Sequence, residues 1–266
     1  MVIKSLKLLL RSKSFSFMKD LKNKSHKISY LNWNRKKIYY RTSSSDMTLI
    51  HEILLKSKFK REYYLPKEIQ PKVIFDIGGN IGITSVYLAT IFPESKIYTF
   101  EPLKENFEIL QKNASQYSNI EVFNIGLGSK NGRFKVYLSD DNENFGGVSF
   151  YSEVEGNLTE SYAECDVKNI NDFILEKEIK SVDLIKIDTE GAEYDILTSI
   201  KKELLTKTSW ITGELHGNRD FELIDYLSSL GFSISFKKNL DNRLFMFNAG
   251  REYIISRLSK KEIKIL

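Results

Sequence analysis

Short apolar runs alternate along this chain with stretches of helical periodicity. The clearest example begins at residues 73–77, an apolar run that is interrupted only by Asp76 and followed by Gly78 and Gly79. A run this short that ends in glycine predicts a buried strand and a tight turn. Apolar residues then recur at helical spacing over 83–91. The stretch therefore predicts a strand, a glycine loop and a helix, an arrangement that presents backbone N–H groups to a ligand.

The same alternation continues towards the end of the chain. Further strands are predicted at 96–100, 120–125, 134–138, 182–187 and 210–215, helices after Pro102 and at 192–200 and 221–230, and a last hairpin from 232–236 and 244–247. Alternating strands and helices predict a doubly wound α/β fold, with a mostly parallel sheet and helices on both faces. We expect the strand at 134–138 to lie outside the parallel order.

The chain divides by composition into three regions. Residues 1 to about 30 are basic, Ser-rich and weakly patterned, which predicts a loosely attached lead-in. A strand at 37–41 and a helix from Met47 to Leu54, with N-cap candidates before it, follow the lead-in. The predicted regions are a basic N-terminal accessory or substrate-side segment (1–65), a main domain that begins near Pro66 (66–250) and a basic amphipathic C-terminal tail (251–266).

Charge and cysteine content bear on the cellular compartment of the protein and on its binding partners. The net charge of +5 is mild for 266 residues, and much of the excess lies in the N-terminal segment. A basic surface of this kind fits a nucleic-acid or anionic-membrane contact, or plain solvation. Read as a helix, residues 1–10 have an apolar and a basic face, so a peripheral membrane contact is the alternative to a plain surface helix, which is favoured. No apolar run is long enough to span a bilayer, and the single cysteine, Cys165, excludes an intrachain disulfide. We expect a cytoplasmic protein, with the inner face of the membrane as the alternative.

Acidic residues stand at the ends of the predicted strands, where doubly wound sheets bind their ligands. Buried charges of this kind need a cationic ligand or polar partners. The residues at these ends are Asp76 with the glycine loop, Glu101, the turn at 124–126, Asp188 with Glu190, and Glu214 with His216.

Two cofactors compete for such a site. A dinucleotide places its pyrophosphate against the glycine loop, and a carboxylate at Asp76 would repel it. S-adenosylmethionine carries an ammonium and a sulfonium group, which acids stabilise electrostatically. Glu101 follows Gly82 by about 19 residues, the spacing at which an acid accepts hydrogen bonds from ribose hydroxyls. Charge therefore favours S-adenosylmethionine.

Four motifs in order resemble those of the FkbM family of class I methyltransferases. They are Asp-Ile-Gly-Gly-Asn-Ile-Gly (76–82), Phe-Glu-Pro (100–102), Asn-Ile-Gly-Leu-Gly (124–128) and Lys-Ile-Asp-Thr-Glu-Gly-Ala-Glu (186–193). The resemblance covers residues 65 to 250 approximately, and Ser45-Asp46 with the following helix also resembles the upstream segment of family members. It implies a Rossmann-like, seven-stranded sheet whose last strand is antiparallel, and S-adenosylmethionine as the cofactor. Residue by residue, it implies that Asp76, Gly78, Asn80 and Gly82 line the methionine moiety, Glu101 holds the ribose, Asn124 and Ile125 lie near the adenine, and Asp188 lies beside the methyl group or its acceptor.

A hydroxyl acceptor is a weak nucleophile, so a general base is expected within hydrogen-bond reach. His216 and Asp188 are the two candidates, because both stand at strand ends facing the expected cleft. The alternatives are a structural turn histidine and a helix N-cap, respectively. Glu190 is either a further catalytic acid or a first-turn residue favoured by the helix dipole. Oxygen ligands from Asp188, Glu190 and Glu214 would suit Mg²⁺, but no spacing demands a metal, and none is predicted.

These expectations combine into an S-adenosylmethionine-dependent O-methyltransferase. The acceptor would be a hydroxyl of a small molecule or glycan, and analogy within the family favours a surface-polysaccharide or glycolipid sugar. The rivals are a nucleic-acid methyltransferase, which is less favoured, and an inactive interaction module on the same fold. The sequence leaves the oligomeric state open.

Overall fold

A seven-stranded sheet organises the main domain. The structure, a computed structural model, describes residues 10–21, 27–42, 44–138, 148–149, 153–154, 157–158, 162–216, 219–238 and 245–265. The predicted amphipathic face of residues 1–10 lies almost wholly outside the described residues.

The strands and helices are numbered in chain order. The strands are β1 (Ile28–Trp33), β2 (Lys36–Arg41), β3 (Val73–Ile77), β4 (Lys96–Phe100), β5 (Ile120–Phe123), β6 (Gly126–Gly128), β7 (Gly132–Leu138), β8 (Val148–Ser149), β9 (Glu153–Val154), β10 (Asn157–Leu158), β11 (Tyr162–Asn169), β12 (Leu184–Ile187), β13 (Trp210–Leu215), β14 (Phe232–Lys238) and β15 (Phe245–Arg251). The α-helices are α1 (Phe15–Asp20), α2 (Ser45–Leu49), α3 (Ile83–Ile91), α4 (Lys104–Ala114), α5 (Ile170–Glu176), α6 (Glu193–Ser199), α7 (Lys202–Leu205), α8 (Asp220–Ser229), α9 (Glu252–Ile255) and α10 (Lys260–Ile263). A π-helix (Ile50–Leu55) continues α2, and a 3₁₀ turn (Lys58–Lys60) follows it.

The strand order of the large sheet is β14-β15-β13-β12-β3-β4-β5. Strands β5, β4, β3, β12 and β13 run parallel, and β15 is antiparallel to both β13 and β14. The predicted doubly wound, mostly parallel seven-stranded sheet with an antiparallel last strand is confirmed. The chain leaves β3 first towards β4 and later returns to β12 on its other side. The switch in strand order therefore lies between β3 and β12, where ligands of such sheets bind.

Aromatic side chains pack the two central strands β3 and β4 against each other and against α5. Phe75 and Phe100 are fully buried, and their ring centroids lie 5.3 Å apart in an edge-to-face arrangement. Phe173 of α5 covers both, with its centroid 4.8 Å from that of Phe100. Edge-to-face pairs add to the stabilisation that burial provides. The carboxyl ends of β3 and β4 are thus fixed relative to each other.

A second, four-stranded sheet has the order β6-β11-β7-β8. The strand predicted at 134–138 lies in this sheet, antiparallel to β11, so its predicted place outside the parallel order is confirmed. β6 leads from the large sheet into the second one by pairing in parallel with β11.

The N-terminal segment packs on the main domain through a shared apolar core. Phe17 of α1 is fully buried against Tyr40 of β2, with ring centroids 5.2 Å apart, so the prediction of a loosely attached lead-in is wrong for α1. The same cluster includes Ile83 and Val86 of α3. Asn113 of α4 accepts a 2.7 Å hydrogen bond from the backbone N–H of Tyr39 and so ties the hairpin β1–β2 to the domain.

The C-terminal tail folds back onto the main domain. Ile254 and Leu258 are buried in a cluster with Trp210 of β13. The Ser259 side chain and Glu262 form a capping box at the start of α10, and the Tyr64 hydroxyl donates to Glu262 Oε1 at 2.8 Å. Over the described ranges, none of the helices has both the length and the apolar character needed to cross a bilayer.

Candidate functional site

A cavity of about 220 Å³ opens at the carboxyl ends of β3, β4 and β12. It lies at the switch in strand order, as the fold requires. Its walls come from the glycine loop, the strand ends and the N-terminal segment. The residues that line it include Gly78, Asn80, Glu101, Asn106, Gly126, Leu127, Asp188, Glu190 and Glu214 from the main domain, and Ser45, Thr48, Leu49 and Glu62 from the N-terminal segment.

The glycine loop approaches its neighbours too closely for larger residues. A Cβ atom on Gly78 would lie 1.8 Å from the backbone oxygen of Asp188, and the φ of Gly78 is +78°. The N–H groups of Gly78 and Gly79 both donate to Phe100 O, at 3.1 and 2.8 Å. Asn80 also has a positive φ, of 48°. Its buried Oδ1 atom has no hydrogen-bond partner among the described residues, which indicates a group that a ligand would satisfy.

Asp76 and Gly82 stand behind this loop. Neither lines the cavity, although both were predicted to line the methionine moiety. The Asp76 carboxylate is fully buried and accepts a hydrogen bond from Ser85 Oγ. Lys186 Nζ lies 3.5 Å from Asp76 Oδ1 and donates to Gly78 O at 2.7 Å. Burial raises the pKa of Asp76, and Lys186 and Ser85 oppose that effect. These residues therefore hold the loop in place from behind.

Glu101 faces the cavity at the end of β4, as predicted. Its carboxylate accepts hydrogen bonds from the N–H groups of Asn80 at 2.8 Å and Leu103 at 3.0 Å. Burial raises its pKa to about 7, and these two donors partly oppose the rise. A carboxylate at this position is suited to accept hydroxyl donors from a ligand.

The turn that was predicted to lie near the adenine reaches the cavity wall two residues later than Asn124 and Ile125. Asn124 and Ile125 do not line the cavity, whereas Gly126 and Leu127 do. Asn124 is exposed, and its Nδ2 donates to Glu101 O at 2.9 Å and to Pro102 O at 3.1 Å. The Asn124 side chain thus holds the turn in place through its two hydrogen bonds. Gly126 and Leu127, the first residues of β6, line the cavity instead.

The opposite end of the cavity is acidic. The carboxylates of Asp188, Glu190, Glu214 and Glu62 line it. Asp188 Oδ2 accepts from the Tyr63 hydroxyl at 3.1 Å and lies 3.7 Å from Lys186 Nζ. Burial, followed by repulsion from neighbouring acids, raises the pKa of Glu62 to about 8. For Glu190, burial outweighs the opposing charge of His216 and also raises the pKa to about 8. This end therefore has an excess of carboxyl groups, which favours a cationic or hydroxyl-bearing ligand.

His216 lies beside the acids but does not line the cavity. Its Nδ1 is 3.4 Å from Glu193 Oε1, and its Nε2 is 3.4 Å from Glu214 Oε2 and 3.5 Å from Glu190 Oε2. Burial alone would lower the pKa of His216, but the surrounding carboxylates raise it to about 12. An imidazolium has no free lone pair, so this environment favours a charge-balancing His216 over a proton acceptor.

The same residues define the one metal-like grouping within the described ranges. An oxygen each of Asp188 and Glu214 and a nitrogen of His216 lie within 4.8 Å of one another. Mg²⁺ prefers oxygen ligands, and the Lys186 ammonium beside Asp188 already balances part of the charge. Mg²⁺ therefore remains the less favoured alternative.

S-adenosylmethionine fits the arrangement better. The unpartnered polar atoms at the cavity wall, Asn80 Oδ1 and Ser45 Oγ, and the carboxylate of Glu101 offer sites for amine and hydroxyl groups. The acidic end offers compensation for the positive charges of the methionine part. Sequence motifs indicated most of these residues, and Ser45 belongs to the Ser45-Asp46 segment that resembles the upstream part of family members. Glu62, also from the N-terminal segment, was not indicated.

Comparison with known proteins agrees with this assignment. The family model of the methyltransferase FkbM domain matches residues 76–234. The antimetabolite synthetase AmbE of Pseudomonas aeruginosa is 25% identical over 254 residues, which cover 80% of this chain and 11% of AmbE. Methyltransferase 1 of Beauveria bassiana is 28% identical over 183 residues, 62% of this chain and 74% of that protein. The 2-O-methyltransferase NoeI of Sinorhizobium fredii is 23% identical over 193 residues, 66% of this chain and 79% of NoeI.

The chain thus spans only 11% of the length of AmbE, but about three quarters of each of the other two relatives. The family match covers more than half of the chain and includes the glycine loop, Glu101 and Asp188. The chain belongs to the FkbM methyltransferase family and is an S-adenosylmethionine-dependent methyltransferase.

Proposed function

We propose that the protein methylates a hydroxyl group of a small molecule or glycan. The observation that carries this proposal is the acidic end of the cavity, where Glu62, Asp188, Glu190 and Glu214 meet. Carboxylates accept hydrogen bonds from hydroxyl groups, and they repel phosphate, sulfate or carboxylate groups on an acceptor. The name of NoeI, a 2-O-methyltransferase, supports an oxygen acceptor. A surface-polysaccharide or glycolipid sugar is the favoured class.

The chain's own residues hold the cofactor in this proposal. Glu101 accepts hydrogen bonds from the ribose hydroxyls, and Asn80 Oδ1 accepts from a donor on the ligand. Asp188 and Glu190 compensate the positive charges of the methionine part. When bound, S-adenosylmethionine supplies a methyl group on a positively charged sulfur. Gly78 contributes by letting the loop pass close to Asp188, so that the two ends of the site are fixed together.

Asp188 is the favoured general base. It lines the cavity, and the Tyr63 hydroxyl and Lys186 ammonium hold its carboxylate in place. It accepts the proton that the acceptor hydroxyl loses. Glu190 is the second candidate, and His216 balances the charge of the acids around it. Most of the rate enhancement would come from holding the acceptor oxygen in line, which can supply up to roughly 10 kcal/mol.

A panel of acceptors tests the proposal. Purified protein is incubated with S-adenosylmethionine and with neutral sugars, acidic sugars, glycolipids or RNA, and products are analysed by mass spectrometry. We expect a gain of one CH₂ on a neutral hydroxyl acceptor, and no product from the same acceptor with Asp188→Asn. In Asp188→Asn, affinity for S-adenosylhomocysteine, which lacks the sulfonium charge, should fall far less than turnover does, so that loss of the base is separated from loss of binding. Methylation of RNA alone, or of acidic sugars in preference to neutral ones, would refute the proposal.

The N-terminal segment is further proposed to contact anionic membranes. Leu10 and Phe15 are 68% and 81% exposed, and the basic residues Arg11, Lys13 and Lys19 lie between or beside them. Apolar side chains surrounded by cations suit the surface of an anionic bilayer. Co-sedimentation with vesicles that contain anionic lipid should fall in Phe15→Ser and with added salt. Equal sedimentation with neutral and anionic vesicles would contradict the electrostatic part of this contact.

A further inference from the structure

Buried polar side chains connect the N-terminal segment to the cofactor-binding end of the cavity. Asp46 of α2 is fully buried, and Arg41 of β2 is only 6% exposed. Arg41 donates to Asp46 Oδ2 from its backbone N and from Nε, both at 2.8 Å, and to Asp46 Oδ1 from Nη2 at 2.9 Å. A two-pronged arginine–carboxylate pair fixes both side chains in direction as well as distance.

This pair continues into the main domain through Asn106. Arg41 Nη2 also donates to Asn106 Oδ1 at 2.8 Å, and Asn106 is buried and lines the cavity. Because the amide oxygen faces Arg41, the amide NH₂ is available to Glu101. A side-chain hydrogen bond from Asn106 indeed opposes the rise that burial causes in the pKa of Glu101. The orientation of Asn106 therefore depends on Arg41, and the Glu101 carboxylate depends on Asn106.

Ser45 stands next to Asp46 at the start of α2 and lines the same cavity. Its Oγ atom is buried and has no hydrogen-bond partner in the part of the chain that the structure describes. A buried hydroxyl without a partner is costly, and native structures rarely keep one. A ligand in the cavity would provide the missing partner.

We propose that the N-terminal segment completes the S-adenosylmethionine site. Ser45 contributes a hydroxyl that binds the nucleoside part of the cofactor, and Arg41 and Asp46 act through Asn106 as positioning residues for Glu101. The inference rests on the proposed role of Glu101 at the ribose. Residues 41, 45 and 46 all precede the 76–234 match, so this part of the proposed cofactor site lies outside the matched range.

The proposal implies that cofactor binding and the packing of the N-terminal segment support each other. Any shift of α2 moves Ser45 out of the cavity wall and releases Asn106 from Arg41. Conversely, a bound nucleoside that accepts from or donates to Ser45 holds α2 against the domain. Such reciprocity follows from linkage.

Isothermal titration of the full-length protein with S-adenosylhomocysteine between pH 6 and pH 9 tests the proposal. Ser45→Ala is expected to weaken binding about three- to tenfold, the value of one buried hydrogen bond. It removes a hydroxyl without a described protein partner, so its melting temperature in the absence of ligand should stay near that of the parent. Ser115→Ala, an exposed serine bonded to Lys112 O, is the matched control.

Asn106→Leu tests the positioning part. Without the Asn106 donor, the pKa of Glu101 should rise, so the pH below which affinity falls should move upwards. Asn119→Ala removes an asparagine bonded to backbone oxygens outside the cavity, and it should leave the pH below which affinity falls unchanged. A merely structural role would lower the melting temperature and leave the pH dependence of the folded protein unchanged.

The results separate this inference from the proposed function. Parent-like affinity and pH dependence in Ser45→Ala and Asn106→Leu, together with weak binding by Glu101→Ala, would overturn the inference and leave the ribose assignment intact. Parent-like affinity in Glu101→Ala would overturn the ribose assignment itself.

Discussion

Lys186 joins three groups that come from different parts of the site. Its ammonium is 3% exposed, donates to Gly78 O, and lies between Asp76 and Asp188. Burial opposes this charge, yet the two carboxylates raise the pKa of Lys186 above its usual value. Replacing one member of a buried ion group leaves its partners uncompensated. The lysine therefore stabilises both the glycine loop and the position of Asp188.

We expect Lys186→Met to lower the free energy of unfolding by about 3–5 kcal/mol, the usual cost of breaking a buried ion pair. Urea denaturation measures this loss. Lys180→Met, which changes an exposed lysine, is the control and should have little effect. Addition of Asp76→Asn to Lys186→Met should recover part of the loss because it removes an unpaired charge. A change below 1 kcal/mol in the free energy of unfolding of the single variant would mean that the ion pairs of Lys186 contribute little to stability.

The raised pKa of Glu101 predicts a pH dependence for cofactor binding. With its pKa at about 7, the free carboxyl is mostly protonated at pH 6 and mostly ionised at pH 8. Because ribose hydroxyls bind the ionised form, affinity is present above pH 7 and is lost as the pH falls through it. We expect binding of S-adenosylhomocysteine to weaken by up to about tenfold from pH 8 to pH 6. Titration calorimetry measures this change. Glu101→Gln should reduce it to the part that comes from Glu62 and Glu190, whose pKa values are about 8. A flat profile in the parent would contradict the assignment.

Sequence motifs located most cavity residues because those residues follow buried strands directly. Gly78, Asn80, Glu101 and Asp188 could be predicted in this way, since strand ends of a parallel sheet meet at one edge. Glu62 could not, because it follows no strand and no short motif connects it to Glu214 across the chain. The shift from Ile125 to Gly126 at the cavity wall was also beyond prediction, since it depends on how the turn is fixed by its own hydrogen bonds.

At the scale of elements, β11 is the clearest omission from the sequence interpretation. Ala163, Cys165 and Val167 alternate with charged residues, which is the period of a half-buried strand. The strand packs one face in a small second sheet, and Cys165 lies in a minor apolar cluster with Val136. Only three apolar side chains therefore indicate this strand in the sequence. The long apolar runs of the central sheet, buried on both faces, are much easier to recognise.

The short helix α10 depends on Glu262 more than on apolar contacts. Glu262 accepts from Tyr64 and from Ser259, and these bonds lower its pKa to about 2. Glu262→Ala should lower the free energy of unfolding by about 1–2 kcal/mol through loss of the cap and of the Tyr64 bond. Thermal and urea denaturation measure the loss, with the exposed Lys260→Ala as control. The contribution of Glu262 is present above pH 4.5 and is lost as the pH falls towards 2, so parent and variant should converge in acid.

At the scale of the whole molecule, the site lies where the N-terminal segment meets the main domain. The predicted division at Pro66 follows composition, but the described residues before it share a core with α3 and line the cavity. Basic residues are concentrated in that segment, whereas the acids of the acceptor end come mainly from strand ends of the main domain. The boundary that composition predicts near Pro66 therefore coincides with an interface at the site. A separate accessory or substrate-side role for residues 1–65 stays a prediction.

Removal of residues 1–65 should show how far the main domain depends on that interface. The deletion exposes Ile83 and Val86 of α3, which are buried in the shared core, and removes Ser45 and Glu62 from the cavity. Exposed apolar surface of this kind promotes association and weakens folding. We expect the truncated protein to be poorly soluble, or to unfold at lower urea concentration and bind S-adenosylhomocysteine at least tenfold more weakly. Deletion of residues 1–9 alone is the control, since it keeps every described residue of the segment, including Ser45 and Glu62. If residues 66–266 unfold cooperatively and bind with parent affinity, the N-terminal segment is an appendage and no part of the cofactor site.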